Sequence, residues 1–542
     1  VALYWNTLRF LRWTQITGRL LFVLKRPKVD TSPAPPVRAR TGMWTPGARR
    51  QPSLVSPTVF RFLNTEGDLA EIGWDSPLRT KLWRYNQHYF DDLNASESHL
   101  RLGWHQALVE RWVNDNPPGV GVGWEPYPCS LRVVNWLKWQ LAGNKLSGLA
   151  IHSLSIQARW LNERLEWHLL GNHLLANAKA LIFVGAFFEG EEAEAWKSQG
   201  LTILCEQLRE QILSDGGHFE RSAMYHALVL EDVLDLIGLG RAYPDAIPRS
   251  IVSDCEEVAG RMVTWLRSMV HPDGEIAFFN DAAIGVAPAP EQLFTYFTQL
   301  GLTEKGMGAS GVASGYVRLK QGSAIAVMDV GSVGPDYLPG HAHAGTLSFE
   351  LSVEGRRLIV NTGTSEYGNG SVRAHERSTM AHSTLQVGSE SSSEVWSGFR
   401  VARRARVSGL IETRDTDSAR VSCCHDGYQR LAGQPRHCRT WRLTSYELRV
   451  SDQVSHSQQR CVARFHLHPD VVATALSPQQ WRLAFSDDTA VANITVEIGT
   501  AQLEGGHYAP QFGLRLDNSC LAVELEGGRA DVVVSFAVHS TG

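Results

Sequence analysis

Apolar positions along the chain change their period once. From about residue 85 to 300 they recur at three- and four-residue spacing, in LRVVNWLKWQLAG, LSIQARWLNERLEWHLL, HLLANAKALIFVGAFF, AWKSQGLTILCEQLREQIL, YHALVLEDVLDLIGLG and SDCEEVAGRMVTWLRSMV. That spacing predicts helices with a buried stripe. Gly, Pro and Asp clusters (NDNPPG, LSDGGH, HPDGE) punctuate them, and short connections make successive helices antiparallel neighbours in a bundle or toroid. Near Gly311 the period becomes two. SGYVRLKQ, SAIAVMDVG, TLSFELSVEGRRLIVNTG, HSTLQVG, RTWRLTSYELRVSDQV, ARFHLHP and ADVVVSFAVH alternate as half-buried strands do. Glu354-Gly355 between two such runs predicts a tight hairpin. Helices followed by strands indicate separate α and β domains, not an interleaved sheet. The expected division is 1–84, an N-terminal amphipathic helix and a wrapping linker; 85–305, helical; and 306–542, antiparallel β.

The N-terminal segment VALYWNTLRFLRWTQITGRLLFVLKRPK carries Arg9, Arg12 and Arg19 inside its apolar pattern. A secretory leader would place basic residues before an uninterrupted apolar run, so none is visible here. The expected compartment is periplasmic or extracellular if a leader has been removed, and cytoplasmic otherwise. An amphipathic helix packed on the body is the preferred reading over a membrane anchor. Residues 29–58 have neither period and are rich in Pro, Ser, Thr and Arg, as a linker or wrapped loop would be. No segment approaches the ~20 apolar residues of a membrane span.

Composition adds little except aromatics. In 542 residues, 43% hydrophobic and 20% charged, the balance is that of a folded chain. The net charge of -4 gives no global attraction for a polyanion or nucleic acid, so an acidic ligand would need local basic patches. The 17 Trp can stack on sugars or fill a core. Eight cysteines show neither a CxxC pair nor zinc-ligand spacing.

Four places hold polar residues that packing does not require. They are Gly171-Asn172-His173 between two helical runs; DGGHFERSAMYH with Glu220, Arg221, Tyr225 and His226; Gly340-His341-Ala342-His343-Ala344-Gly345 before a strand; and RAHERSTMAHSTL with Arg373, His375, Glu376, Arg377 and His382. Singly each has a plain explanation, such as a helix cap or a half-buried ring. Two histidines two apart on a strand point to one face, which suits a metal.

Together, LEWHLLGNHLLANAKAL, DGGHFERSAMYHALVLEDVLDL, GHAHAGTLSFEL, LIVNTGTSEY and ERSTMAHSTLQV, in this order, resemble the heparinase II/III superfamily of polysaccharide lyases. The resemblance implies an incomplete (α/α) toroid carrying the catalytic groups, followed by an antiparallel β-sandwich. It implies β-elimination on an acidic, uronate-containing polysaccharide. Asn172, with His173 beside it, would neutralise the uronate carboxylate as charge develops there. Tyr225 would protonate the leaving oxygen and, as in some members, also remove the proton, while His341 would take the base role depending on which uronate epimer is bound. Arg221, a turn before Tyr225, would help lower the phenol pKa. His343, Asn361 and His382 match the positions of a structural divalent metal, zinc or manganese, in the β-domain; no organic cofactor is implied. Asn361 stands where the family has Asp, so the charge at that position is missing and affinity should fall.

Glu220, Arg221, Trp124, Arg373 and Arg377 are candidate substrate contacts, Arg for its fork and Trp for stacking. Trp136 and Trp167 are weaker stacking candidates, and Arg400, Arg403, Arg404 and Arg406 are either a polyanion patch or a solvated strand face. Two other readings stay open. One is a hydrolase or epimerase on the same toroid, with Glu220 and Asp281 as its carboxylates. The other is a non-catalytic glycan-binding or polysaccharide-assembly protein. Which polymer is bound, and the oligomeric state, are left open by the sequence.

Overall fold

The computed structural model describes residues 2–306, 312–487 and 489–536. Gly311, where the period switches, and the end of the ADVVVSFAVH run lie outside the described residues. Helices alternate between an inner and an outer layer. Pro126–Leu141, Gly171–Phe187 and Ala223–Ala242 pack on one another, while Gly148–Asn162, Glu191–Gln211 and Arg249–Ser268 back them. The inner helices are apolar all round because they are covered on every side: in Gly171–Phe187 only His173 escapes burial. Gly185 and Gly200 let this helix and Glu191–Gln211 touch, since a Cβ at Gly185 would lie 2.6 Å from the Ala193 carbonyl oxygen. Lys138 and Lys179, both buried, meet Asp235 at 2.8 and 2.7 Å and tie the three inner helices by charge.

Among the described residues the C-terminal region forms two eight-stranded antiparallel sheets. One begins with the meander Val407–Arg414, Ser418–His425, Arg436–Thr444 and Glu447–Ser455; the other holds Tyr316–Gln321, Ala324–Asp329, Phe349–Val353, Arg356–Val360 and Cys461–Leu467. Their inner faces share one core, in which Leu319, Phe349 and Leu351 face Val421, Trp441 and Val534. The expected hairpin is present, with Glu354 at φ 50° and Gly355 at φ 81°, the paired left-handed residues of a two-residue turn. Cys424 and Cys438, directly opposed on neighbouring strands, form a disulfide.

Residues 32–44 lie against the helices. The Arg38 amide donates to the Phe187 carbonyl, Arg159 holds the Ser32 and Pro33 carbonyls, and Trp44 enters the helical core. The N-terminal segment is two helices, Ala2–Leu8 and Trp13–Leu24, where one was expected. The two domains share packing: Tyr316, Val327, Val360, Tyr508 and Phe512 join the helical core.

Candidate active site

The site is built from helix N-termini on one side and a long loop of the β-domain on the other. Asn172 is the second residue of its helix, entered through Gly171 at φ 56°. A Cβ at Gly171 would lie 2.9 Å from Glu220 Oε1 and 2.6 Å from Leu338, so the backbone there touches both walls. The Asn172 carboxamide makes no hydrogen bond among the described residues, which leaves both its donor and its acceptor for a ligand. His173 stacks on Tyr127 at 4.4 Å and places Nδ1 3.1 Å from Glu166. Burial pulls its pKa down, but the Glu166 charge and hydrogen bond, with Glu220, outweigh that and raise it.

Tyr225 and His341 lie ring against ring, their centroids 3.9 Å apart and their planes tilted by 31°. Tyr225 lies in the first turn of Ala223–Ala242, capped by Ser222, whose hydroxyl accepts from the Tyr225 amide. Its phenol is 2.8 Å from the Tyr367 hydroxyl. Burial, then the neighbouring Tyr367 and Asp281, holds the Tyr225 pKa well above the ordinary phenol value. His341 comes from the loop between Asp329 and Phe349, not from a strand. Its Nδ1 bonds Asp281 Oδ2 at 2.8 Å, and Nε2 lies 3.5 Å from Glu220.

Asp281 organises this half of the site. Fully buried, it accepts from His341, from His343 Nε2 at 2.8 Å, from Thr364 and from both arms of Arg373. Burial alone would raise its pKa, but Arg373 and the two histidines hold the carboxyl well below the usual range. A carboxylate so occupied cannot serve as the nucleophile or base of a hydrolase. Glu220 is likewise buried, and burial raises its pKa against the pull of His341 and His173. The sequence reading offered Asp281 only as a hydrolase carboxylate and missed Tyr367; the packing patterns had left neither residue a role.

Several expected contacts fall elsewhere. Trp124 is buried among Trp112 and Trp160, its indole N–H on the Asn116 carbonyl, and is core. Trp136 is fully buried as well. Arg373 is closed around Asp281 and the Gly398 carbonyl, and Arg377 donates to the carbonyls of Ala342, Ser397 and Arg400. Both guanidiniums are buried and hold loops, not a polyanion. Arg221 sits outside the helix at φ 57°, its guanidinium on the Ser332 carbonyl, so it does not lie one turn below Tyr225. Arg403 pairs with Glu394 and Arg404 with Asp336, which consumes much of the basic run.

The metal positions are partly assembled. His382 Nδ1 is 2.7 Å from the Ser378 carbonyl, which only accepts, so Nε2 carries a lone pair. His343 Nε2 faces the Asp281 carboxylate, leaving a lone pair on Nδ1, 3.2 Å from His382 Nε2. Two neutral imidazoles therefore converge, and burial lowers both pKa values, to about 4 for His343. Asn361 does not complete the set: its Oδ1 accepts from the Ser383 amide at 3.0 Å, and it brings no charge. Among the described residues no group of three His, Cys, Asp or Glu is placed to hold a metal. The donors fall short of a metal centre, and no chemical step is derived through one.

The helical part of the chain matches the heparinase II/III N-terminus profile over residues 105–299, and the β part matches the heparinase II/III-like C-terminal profile over 303–536. The chain belongs to the heparinase II/III-like family. Among curated relatives, a heparin-sulfate lyase of Bacteroides stercoris is 27% identical over 245 residues, 40% of this chain and 35% of that one. The FtsZ-localized protein C of Caulobacter vibrioides is 29% identical over 328 residues, 55% of this chain and 54% of that one. The matches thus span between about a third and a half of the length of these two relatives. Heparinase III shares the fold, with a TM-score of 0.64 at 19% identity over 84% of this chain and 76% of that one.

Proposed function

We propose that this protein is a polysaccharide lyase that cleaves a uronate-containing glycan by β-elimination. The observation that carries this reading is the close ring contact of Tyr225 with His341, an imidazole braced on its far nitrogen by buried Asp281. In the proposed step, Asn172 donates to the uronate carboxylate and stabilises the charge that grows as C5 loses its proton. His341 takes that proton through Nε2, with Asp281 fixing the tautomer and stabilising the imidazolium. Tyr225 gives its proton to the leaving O4. The raised phenol pKa keeps Tyr225 protonated until the leaving oxygen takes its proton, a role that does not call on Arg221 to lower it. The C5–H and C4–O bonds break, a C4–C5 double bond forms, and Tyr367 lies in place to return a proton to Tyr225. A zinc or manganese ion at His343 and His382 is assigned no step; with two nitrogen donors and no anionic ligand it should leave on chelation.

The test is turnover of heparan sulfate, chondroitin sulfate, hyaluronan and alginate, read as the ultraviolet absorbance of the unsaturated uronate. Product from one of them, lost in His341→Ala, supports the reading. Binding of a polymer without unsaturated product supports the alternative of a glycan-binding or assembly protein. That second reading draws on the FtsZ-localized relative and on the closely tied Tyr225 and His341.

A further inference from the structure

The N-terminal helix inverts the usual arrangement of an amphipathic helix. Trp13–Leu24 packs on the body through its polar and small positions. Gln15 Nε2 donates to the Tyr337 carbonyl at 3.1 Å, and a Cβ at Gly18 would lie 3.0 Å from the His168 amide. Only Phe22 among its large apolar residues turns inward, onto His168 at 4.3 Å. Trp13, Ile16, Leu20, Val23 and Leu24, which share the opposite face at helical spacing, are exposed, Trp13 by 75% and Leu24 by 76%. Trp5 and Leu8 of the preceding helix add to them. Scattered exposed apolar side chains need no explanation, but a contiguous helical face of them marks an interaction surface. The helix therefore packs on the body through its polar face and leaves its apolar stripe outward.

Charge indicates what covers the face. Residues 1–29 contain six Lys and Arg and no acid, although acids outnumber bases in the whole chain. Arg12 and Lys25 are paired with Glu210 and Glu163, while Arg19, Arg26 and Lys28 remain exposed. An apolar face rich in Trp and Leu, flanked by cations, suits the boundary between headgroups and acyl chains of an anionic bilayer. Thr17 bonds the Trp13 carbonyl, and the exposed indole of Trp13 combines an apolar ring with one polar N–H, as side chains at a membrane boundary do. No helix among the described residues is long and apolar enough to cross a membrane, which leaves in-plane docking.

We propose that Trp13–Leu24, helped by Trp5 and Leu8, docks this protein in-plane on an anionic membrane surface. The helix rests on Tyr337 and on Trp167 and His168, just ahead of His341 and Asn172 respectively, so docking brings the candidate site near the bilayer. The test is flotation of the full chain with vesicles of phosphatidylcholine alone or mixed with phosphatidylglycerol. Binding is expected on the mixed vesicles, weakened by salt. Trp13→Glu/Leu20→Glu/Leu24→Glu should lower the bound fraction by roughly tenfold or more with an unchanged circular dichroism spectrum. If that variant misfolds, Leu20→Asn alone should still reduce flotation. Arg19→Glu/Arg26→Glu should weaken binding to the anionic vesicles only. Absence of flotation by the parent chain, or equal flotation by the apolar variants, overturns the proposal. So does a parent dimer that those variants dissociate while the parent ignores vesicles; the face would then bind a second copy.

Discussion

The two halves of the site use polar residues in opposite ways. On the helical side Asn172 keeps a carboxamide with no partner among the described residues. On the β side Arg373, Arg377, His343, His382 and Asn361 are all bonded within the protein, and their combined effect is to present one imidazole, His341. Helix N-termini already have their backbone conformation fixed by the helix, so a side chain there can stay free. A loop of nearly twenty residues, Val330–Ser348, has no such support and must be held by buried hydrogen bonds and charge. An abundance of cations near a site thus indicates scaffolding as readily as ligand affinity.

The largest effect should come from the group that joins the halves. Tyr225→Phe removes the proton and keeps the ring, and should lower turnover by about 10²–10⁴ while polymer binding persists; a variant with near-normal product formation would move proton donation to another residue. Asp281→Ala tests whether the β half is scaffold. It strands a buried Arg373 and should cost about 3–5 kcal/mol in denaturant unfolding, with activity falling alongside. Asn172→Ala should do the reverse. Because the carboxamide bonds nothing among the described residues, stability should hardly change, while kcat drops by about 10²–10³ with KM little altered. Equal losses of stability in the two variants would erase the distinction between the halves.

The smallest effect concerns Glu220. Its folded pKa is raised by burial, so ionisation costs stability once the pH passes the ordinary value of 4.5, and the cost grows until the folded group has titrated. Glu220→Gln should therefore raise Tm at neutral pH, and the gain should vanish below pH 4.5. A gain that persisted in acid would show that the carboxylate charge is not its cause.

The sequence by itself determined the two-domain order, the hairpin at Glu354-Gly355 and the motifs that bear Asn172, Tyr225 and His341, because periodicity, turn chemistry and local motif are properties of neighbouring residues. It could not assign Trp124, Arg221, Arg373 or Arg377. A buried indole and a stacking platform have the same sequence, as do a guanidinium that clasps Asp281 and one that awaits a carboxylate. Nor could it orient the helix Trp13–Leu24, whose period is the same whichever face meets the body. Those assignments depend on partners distant in the chain, such as Arg373 with Asp281 or Gln15 with Tyr337, and only the tertiary structure brings them within bonding distance.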